Sequence, residues 1–274
     1  MRDACDSQDG IVDGIVSNPE ACTFDPSVLR CAAGADTGDT CLLDAQLASV
    51  NSWTSPASWA RGAYTDAGWA LTGNEDDPSA RPLWVTGNGT VQGALQYLFQ
   101  DTTVKNYLAR DPAQDSLTYT WDSNLNAVYA MAALNDATNA DLRPFKNSNA
   151  KLILWHGGND AALSHKSTTA YYQGVANAVG GQAAADEFVR YYIAPGVNHC
   201  AGGPGADETD LLSALDAWVS TGTAPGTLTA TKVSNGTAQF SRPLCRYPQY
   251  PRYTGPANDA AAAALASNYT CTSP

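Results

Sequence analysis

Two short apolar runs, separated by a helical pattern, dominate the second half of the chain. Lys151–Trp155 and Phe188–Ile193 are rich in aliphatic and aromatic residues and are bounded by polar or glycine-containing segments. Runs of this length predict buried strands. Between them, Tyr171–Val179 has a helical pattern that ends at Gly180. This order of elements predicts an α/β unit.

Each predicted strand leads to a residue suited to acid–base chemistry. The first run breaks at 156–159 and leads to Asp160, and the second breaks at 194–196 and leads to His199. Because these residues follow consecutive strands, their loops can meet at one edge of a sheet. A carboxylate orients an imidazole that takes a proton from serine, and this order of acid and histidine is typical of α/β-hydrolases. Alternatively, Asp160 caps the next helix and His199 is an unrelated loop residue.

A serine nucleophile is not evident in the chain. The G-x-S-x-G pattern of a nucleophile elbow does not occur. Ser164 follows the acid and is better explained as a helix cap. His156 and His165 are weaker candidates than His199, since His156 is expected to hold backbone at the strand end and His165 to begin an exposed helix. The sequence therefore predicts an acid and a base without their nucleophile.

The remaining pattern predicts further elements on both sides of this unit. Helices are indicated at Leu42–Val50 and Asn124–Leu134, another helix begins after Asp207–Asp210, and Gly226–Val233 has a strand-like pattern. Residues 42–150 are rich in Trp and Tyr. These aromatic residues could line a site for an aromatic substrate, although ordinary core packing is the simpler explanation.

Composition narrows the classes of function. The chain has 274 residues, a formal net charge of −12 and a pI of about 4.4, which argues against binding a nucleic-acid backbone. No apolar stretch approaches the roughly 20 residues that cross a bilayer. Seven cysteines, with sequons at Asn88, Asn235 and Asn268, favour a secreted protein. The first residues have no apolar signal-peptide region, so we expect a native N-terminal segment to be missing.

The spacing of the cysteines suggests three local bridges, which are Cys5–Cys22, Cys31–Cys41 and Cys245–Cys271. The first four cysteines alone allow three connectivities, so this pairing is one of several. It leaves Cys200, directly beside His199. An odd cysteine in a secreted protein suggests a reactive thiol or a partner outside the chain.

The N-terminal loop carries regularly spaced acids. Asp6, Asp9 and Asp13 are interleaved with glycines that permit tight turns. Calcium requires about six to eight oxygen ligands, and the main-chain oxygens of Ile11 and Ile15 could add to the three carboxylates. The spacing is not that of an EF-hand, and the alternative is a solvated acidic turn.

Taken together, the motifs resemble the tannase and feruloyl esterase family over essentially the whole chain. The motifs that carry the resemblance occur in one order. They are Cys5-Asp6-x-x-Asp9-Gly10-x-x-Asp13-Gly14, Cys22-x-Phe24-Asp25-Pro26, His156-Gly157-x-x-Asp160, Asn198-His199-Cys200-x-Gly202-Gly203 and Arg242-Pro243-Leu244-Cys245-x-Tyr247-Pro248.

The resemblance implies an α/β fold made of two parts. Residues 149–274 would be the C-terminal part of an α/β-hydrolase core, with Asp160 as the triad acid and His199 as the base. Residues 1–148 would be a mixed, loop- and helix-rich lid domain over the substrate. The lid would hold a structural Ca²⁺ through Asp6, Asp9, Asp13 and the main-chain oxygens of Ile11 and Ile15. Cys200 would pair with a cysteine outside this chain.

The implied activity is that of a secreted carboxylic ester hydrolase acting on small phenolic esters, such as feruloyl or galloyl esters, through an acyl-enzyme. The family's Gly-Cys-Ser-x-Gly-Gly segment and oxyanion hole are absent from these residues, so the chain alone is expected to be inactive.

Two alternatives stay open, which are a truncated, inactive calcium-binding module and one chain of a two-chain esterase joined through Cys200. The missing N-terminal half would be its partner, and neither nucleic acid nor a membrane is expected. Unpaired sheet edges also predict poor stability of the isolated chain.

Overall fold

The structure, a computed structural model, describes residues 1–274. The helices are Arg2–Cys5 (α1), Asp44–Thr54 (α2), Leu95–Thr103 (α3), Leu125–Asn135 (α4), Arg143–Asn147 (α5), His165–Val179 (α6), Gln182–Ala185 (α7), Leu211–Thr221 (α8) and Ala260–Ala263 (α9). The strands are Ala57–Trp59 (β1), Tyr64–Asp66 (β2), Leu152–Gly157 (β3), Val189–Ala194 (β4), Leu228–Ser234 (β5), Thr237–Leu244 (β6), Tyr250–Tyr253 (β7) and Tyr269–Thr272 (β8). Short 3₁₀ and π turns connect many of them.

The parallel pair β3–β4 positions the candidate site. The two strands pair in register from Leu152 opposite Val189 to Gly157 opposite Ala194, and α6 lies in the connection between them. Parallel strands require such a crossover. The predicted α/β unit is therefore confirmed, within a fold of mixed helices and sheets.

Two apolar clusters flank this pair. On the α6 side, Tyr172, Val175, Phe188, Val189 and Tyr191 are each at most 1% exposed. The cluster on the other side joins β4 to β5 and β6 and is formed by Tyr192, Ala194, Val197, Ala206, Ala230 and Leu244. Because β4 supplies residues to both clusters, it is buried on both faces, which explains its nearly continuous apolar sequence.

The other strands form antiparallel pairs. β5 and β6 are joined at Asn235-Gly236, where both residues have positive φ, the conformation that a tight type I′ hairpin turn needs. β1 pairs with β2, and β7 with β8. β3 pairs with β4 alone among the strands of the chain.

Residues before β3 form a smaller apolar cluster of their own. Ala60, Val104, Leu108 and Val128 pack together between β1, α4 and the turn after α3. The helices predicted at Leu42–Val50 and Asn124–Leu134 correspond to α2 and α4. The division into parts at 148/149 stays a prediction.

All three predicted disulfides are confirmed. The bridges Cys5–Cys22, Cys31–Cys41 and Cys245–Cys271 are formed, and Cys200 is free and exposed. None of the helices combines the length and apolar character needed to cross a bilayer.

Candidate active site

The loops after β3 and β4 are held together by backbone hydrogen bonds. The amide of Gly158 donates to the carbonyl of Ala194 at 2.8 Å, and that of Asn159 donates to Val197 at 3.0 Å. A Cβ atom on Gly157 would lie 2.4 Å from the carbonyl oxygen of Asn198, so only glycine allows this close approach. The strand ends thereby bring the two candidate residues to one edge of the sheet.

Asp160 and His199 form a hydrogen-bonded pair at this edge. Nδ1 of His199 lies 2.9 Å from Oδ2 of Asp160. Oδ1 of the same carboxylate accepts the backbone N–H groups of Ala162 at 2.7 Å and Leu163 at 2.9 Å. Asp160 is 6% exposed, whereas the His199 side chain is 35% exposed. The acid is thus buried and oriented, and the imidazole reaches the surface.

Electrostatics keep Asp160 ionised. Burial raises the pKa of its carboxyl, but hydrogen bonds from the His156 imidazole, the Leu163 amide and His199 lower the pKa and prevail, so it lies below its ordinary value of 3.8. A carboxylate accepts a hydrogen bond only from a nitrogen that carries a proton. The contact with Asp160 therefore places the proton of His199 on Nδ1. Nε2 is then the basic nitrogen and can take a proton from a hydroxyl group.

Asparagines that precede each member of the pair bind a distant segment of the chain, residues 68–81. The Asn159 amide donates to the carbonyl of Thr72 at 2.9 Å and accepts the Gly196 amide at 3.0 Å. Thus the same side chain connects the acid loop, the histidine loop and the 68–81 segment. Sequence reasoning did not identify this role of Asn159.

Asn198 makes the corresponding connection beside the base. Its Nδ2 donates to Oδ2 of Asp77 at 2.9 Å and to the Ser79 hydroxyl at 3.0 Å. Its Oδ1 accepts a short hydrogen bond from Nδ2 of Asn74. With an exposed fraction of 3%, Asn198 fixes the backbone that carries His199.

An aromatic surface lies against the imidazole. The ring centroids of Trp84 and His199 are 5.2 Å apart at an interplanar angle of 66°. Trp84 also stacks on Phe99 at 6.1 Å and 11°, and Phe99 is 62% exposed. The site therefore combines an acid–base pair with a neighbouring aromatic face.

Comparison with known proteins assigns the chain to a family. The model described as "Tannase and feruloyl esterase" matches residues 1–272. The chain belongs to this family. The resemblance in its motifs is thereby confirmed.

Individual family members agree with this assignment. The chain is 33% identical to a mono(2-hydroxyethyl) terephthalate hydrolase of Piscinibacter sakaiensis, over 92% of this chain and 47% of that protein. It is 31% identical to a probable feruloyl esterase of Arthroderma benhamiae, over 92% and 48%. The crystal structure of feruloyl esterase B from Aspergillus oryzae is similar with a TM-score of 0.79 and 26% identity, covering 98% of this chain and 54% of that one. The chain spans about half the length of these relatives.

In this family member the two remaining histidines lie near the pair. Nε2 of His156 lies 3.0 Å from the carbonyl oxygen of Leu163, in agreement with its predicted role of holding backbone. The prediction of an exposed His165 is wrong. His165 begins α6 but is 3% exposed, because Glu20 covers it with Oε1 3.3 Å from Nε2.

The candidate calcium loop contains two buried carboxylates. Asp6 is 4% exposed and accepts the Gly14 amide at 2.9 Å, while Asp9 is 3% exposed. Burial raises the pKa of Asp9 to about 6, so a nearby cation would stabilise its ionised form. Asp13 instead binds Arg242 at 2.7 Å.

The donor chemistry of this loop fits calcium, which prefers carboxylate and carbonyl oxygens. No group of three or more His, Cys, Asp or Glu side chains, however, is arranged to hold a metal ion. The calcium site therefore stays a prediction. A cavity of about 770 Å³ lies beside the loop, lined by Ile11, Asp13 and Arg242 among others, and is separate from His199.

Proposed function

We propose that this protein contributes the acid and the base of a serine carboxylesterase that cleaves esters of phenolic acids, such as feruloyl or galloyl esters. The observation that carries the proposal is the 2.9 Å contact between Nδ1 of His199 and Oδ2 of a buried Asp160. The names of the relatives, which include feruloyl esterases, support the same chemistry.

The proposed reaction proceeds through an acyl-enzyme. Nε2 of His199 takes the proton of a serine hydroxyl as the serine oxygen attacks the ester carbonyl, and Asp160 stabilises the resulting imidazolium. The imidazolium then gives its proton to the leaving alcohol oxygen. Water, deprotonated by His199, attacks the acyl-enzyme and releases the acid and the serine. We propose that this serine lies outside the 274 residues and that Cys200 pairs with a cysteine beside it.

The aromatic face beside His199 supports a phenolic substrate. Trp84 lies against the imidazole, and Phe99 continues its surface. An aromatic ring attached to the ester carbonyl can stack on such a face while the carbonyl remains near the base. Pairs of stacked aromatic rings contribute about 0.5–1.5 kcal/mol beyond the burial of area.

The proposal also includes a structural calcium ion in the N-terminal loop and secretion of the protein. Asp6, Asp9 and Asp13, with the main-chain oxygens of Ile11 and Ile15, would hold the ion. When bound, calcium would compensate the buried carboxylates and rigidify the loop. Three disulfides, which form in oxidising compartments, support a secreted protein.

The test compares hydrolysis of methyl ferulate and methyl gallate by the native-length protein, isolated without reduction, with that of three variants. We expect His199→Ala and Asp160→Asn to lose about 10⁴-fold or more in kcat. Asp141→Asn removes a partly exposed loop carboxylate that pairs with Arg143 and should retain activity. Wild-type rates in His199→Ala would contradict the proposal.

Further measurements, beginning with hydrolysis by the 274-residue chain alone, distinguish the remaining alternatives. We expect it to show no hydrolysis, and a His199-dependent rate would place the nucleophile within the chain. A native-length protein that melts at higher temperature with Ca²⁺ but hydrolyses no ester would instead be a calcium-binding module. Mass spectrometry of the unreduced protein identifies any peptide bonded to Cys200, as a two-chain enzyme requires.

A further inference from the structure

All three histidines of the chain lie in one row that passes through Asp160. His199 and His156 both contact Oδ2 of this carboxylate, at 2.9 Å and 3.3 Å. The His165 ring lies behind His156 with a centroid distance of 6.5 Å and an interplanar angle of 72°, and Glu20 follows it. The proposed mechanism uses His199 alone, so the position of His156 calls for a separate explanation.

The partners of His156 fix which of its nitrogens carries the proton. Nε2 lies 3.0 Å from the carbonyl oxygen of Leu163 and 3.3 Å from Oδ2 of Asp160. Both oxygens only accept hydrogen bonds, so Nε2 must be protonated. Nδ1 lies 2.8 Å from the Thr168 hydroxyl, which can donate to it. The one proton on Nε2 therefore makes its shorter hydrogen bond to Leu163 and also faces Oδ2 of Asp160 at the longer distance.

The Asp160 carboxylate is consequently held from both ends. The backbone amides of Ala162 and Leu163 fix Oδ1, and Oδ2 lies between two imidazoles. The His156 side chain is 12% exposed and that of Asp160 is 4% exposed, so water competes little for this contact. Such orienting partners of a catalytic group are the general means by which a site is preorganised.

The groups facing His156 are few. Asp160 lies at Nε2, His165 packs on the ring, and His199 lies across the shared carboxylate. Lys166 is directed to Glu20 at 3.3 Å and does not contact the ring. His156 thus faces one carboxylate, with no lysine or arginine in direct contact.

We propose that His156 is a positioning residue, whose Nε2–H holds Oδ2 of Asp160 at the point where Nδ1–H of His199 binds it. The tautomer of His199 therefore depends on His156. This role rests on the proposed function for its importance in catalysis. The dependence itself concerns only side chains of this chain and is measured without a substrate.

The experiment uses NMR of the native-length protein labelled with ¹⁵N-histidine, in which the imidazoles of His156, His165 and His199 are assigned by substitution of each residue. At neutral pH we expect His199 as the Nδ1–H tautomer and His156 as the Nε2–H tautomer. An Nδ1–H tautomer of His156 in the wild type would overturn the proposal without any variant.

Two variants of nearly equal size separate the hydrogen bond from packing. The side-chain amide of His156→Gln can reach the position of Nε2, whereas that of His156→Asn reaches only the position of Nδ1. We expect His199 to keep the Nδ1–H tautomer in His156→Gln and to lose it in His156→Asn. The same His199 tautomer in both folded variants, judged by the amide spectrum, would overturn the proposal. Either result leaves the test of ester hydrolysis unaffected.

Discussion

Asn198 donates a hydrogen bond from Nδ2 to Oδ2 of Asp77 at 2.9 Å across 121 residues of sequence. The next residue is His199, so the position of the base is fixed from the 68–81 segment as well as from β4. Asn159 binds Thr72 in the same segment directly before Asp160. The geometry of the pair thus depends on a part of the chain that is remote in sequence.

We expect Asn198→Ala to lower both stability and activity. The substitution removes one of the two acceptors of the buried Asn74 amide, which keeps Gly196, and one hydrogen-bond donor to Asp77. A buried polar group left unsatisfied costs about 1–3 kcal/mol. A small displacement of His199 should lower kcat by about 10²-fold with little change in KM. The matched control is Asn135→Ala, whose exposed amide binds only its own helix, at Met131. Chemical denaturation and methyl ferulate hydrolysis by the native-length protein measure the two effects, and a change in KM alone would contradict this explanation.

Trp84→Ala should weaken binding of aromatic esters specifically. Loss of the stacking face next to His199 corresponds to about 1.4 kcal/mol, or roughly a tenfold rise in KM for methyl ferulate. Methyl butyrate, which has no ring, should be affected much less. Tyr107→Ala removes a 53% exposed aromatic residue that lies in a different cavity, beside Trp121, and serves as the control. Equal losses for both esters would show that Trp84 supports the fold rather than the substrate ring.

The depressed pKa of Asp160 predicts a loss of stability in acid. Its folded-state pKa lies below the ordinary value of 3.8, so the ionised carboxylate stabilises the protein above about pH 4. That contribution is lost as the pH falls through the lower, folded-state value. The free energy of unfolding of Asp160→Asn should therefore fall less steeply below pH 4 than that of the wild type. Parallel curves from urea titrations would exclude this contribution.

Removal of calcium should lower the melting temperature. At a calcium concentration about 100 times the dissociation constant, binding adds roughly 2.7 kcal/mol, equivalent to about 5–10 °C for a chain of this size. A chelator should remove this increment, and Asp9→Asn should abolish the response. Asp36→Asn, which changes an exposed acid in the next disulfide loop, should respond as the wild type does. A melting temperature unaffected by chelator would contradict the calcium prediction.

The juxtaposition of Asp160 and His199 could be predicted because its signals are local. Each residue follows an apolar run that breaks at glycine, and consecutive parallel strands end at one sheet edge. The start of α6 was predicted correctly as well, because Ser164 suggests a helix cap and its hydroxyl accepts the Lys166 amide directly before the helix begins at His165. The end at Gly180 was predicted correctly, where positive φ terminates the helix.

The supporting contacts could not be predicted from the sequence. Asn159 and Thr72 are 87 residues apart, and nothing in the local pattern of either residue indicates the other. The burial of His165 was missed for the same reason, since it depends on Glu20 from a remote loop. Local patterns thus predict the ends of strands, whereas the contacts that orient the side chains arise from long-range packing.

The disulfides divide the chain unevenly. Their sequence separations are 17, 10 and 26 residues, and all three lie near the ends of the chain. Residues 42–244, which include Asp160 and His199, contain no internal covalent link. On heating, the bridged ends therefore keep their loop topology, whereas contacts among residues 42–244 themselves are all reversible. Ester hydrolysis should consequently be lost at a lower temperature than the structure of the termini. The circular dichroism signal that remains at such a temperature then overestimates the fraction of molecules in which the Asp160–His199 pair is intact.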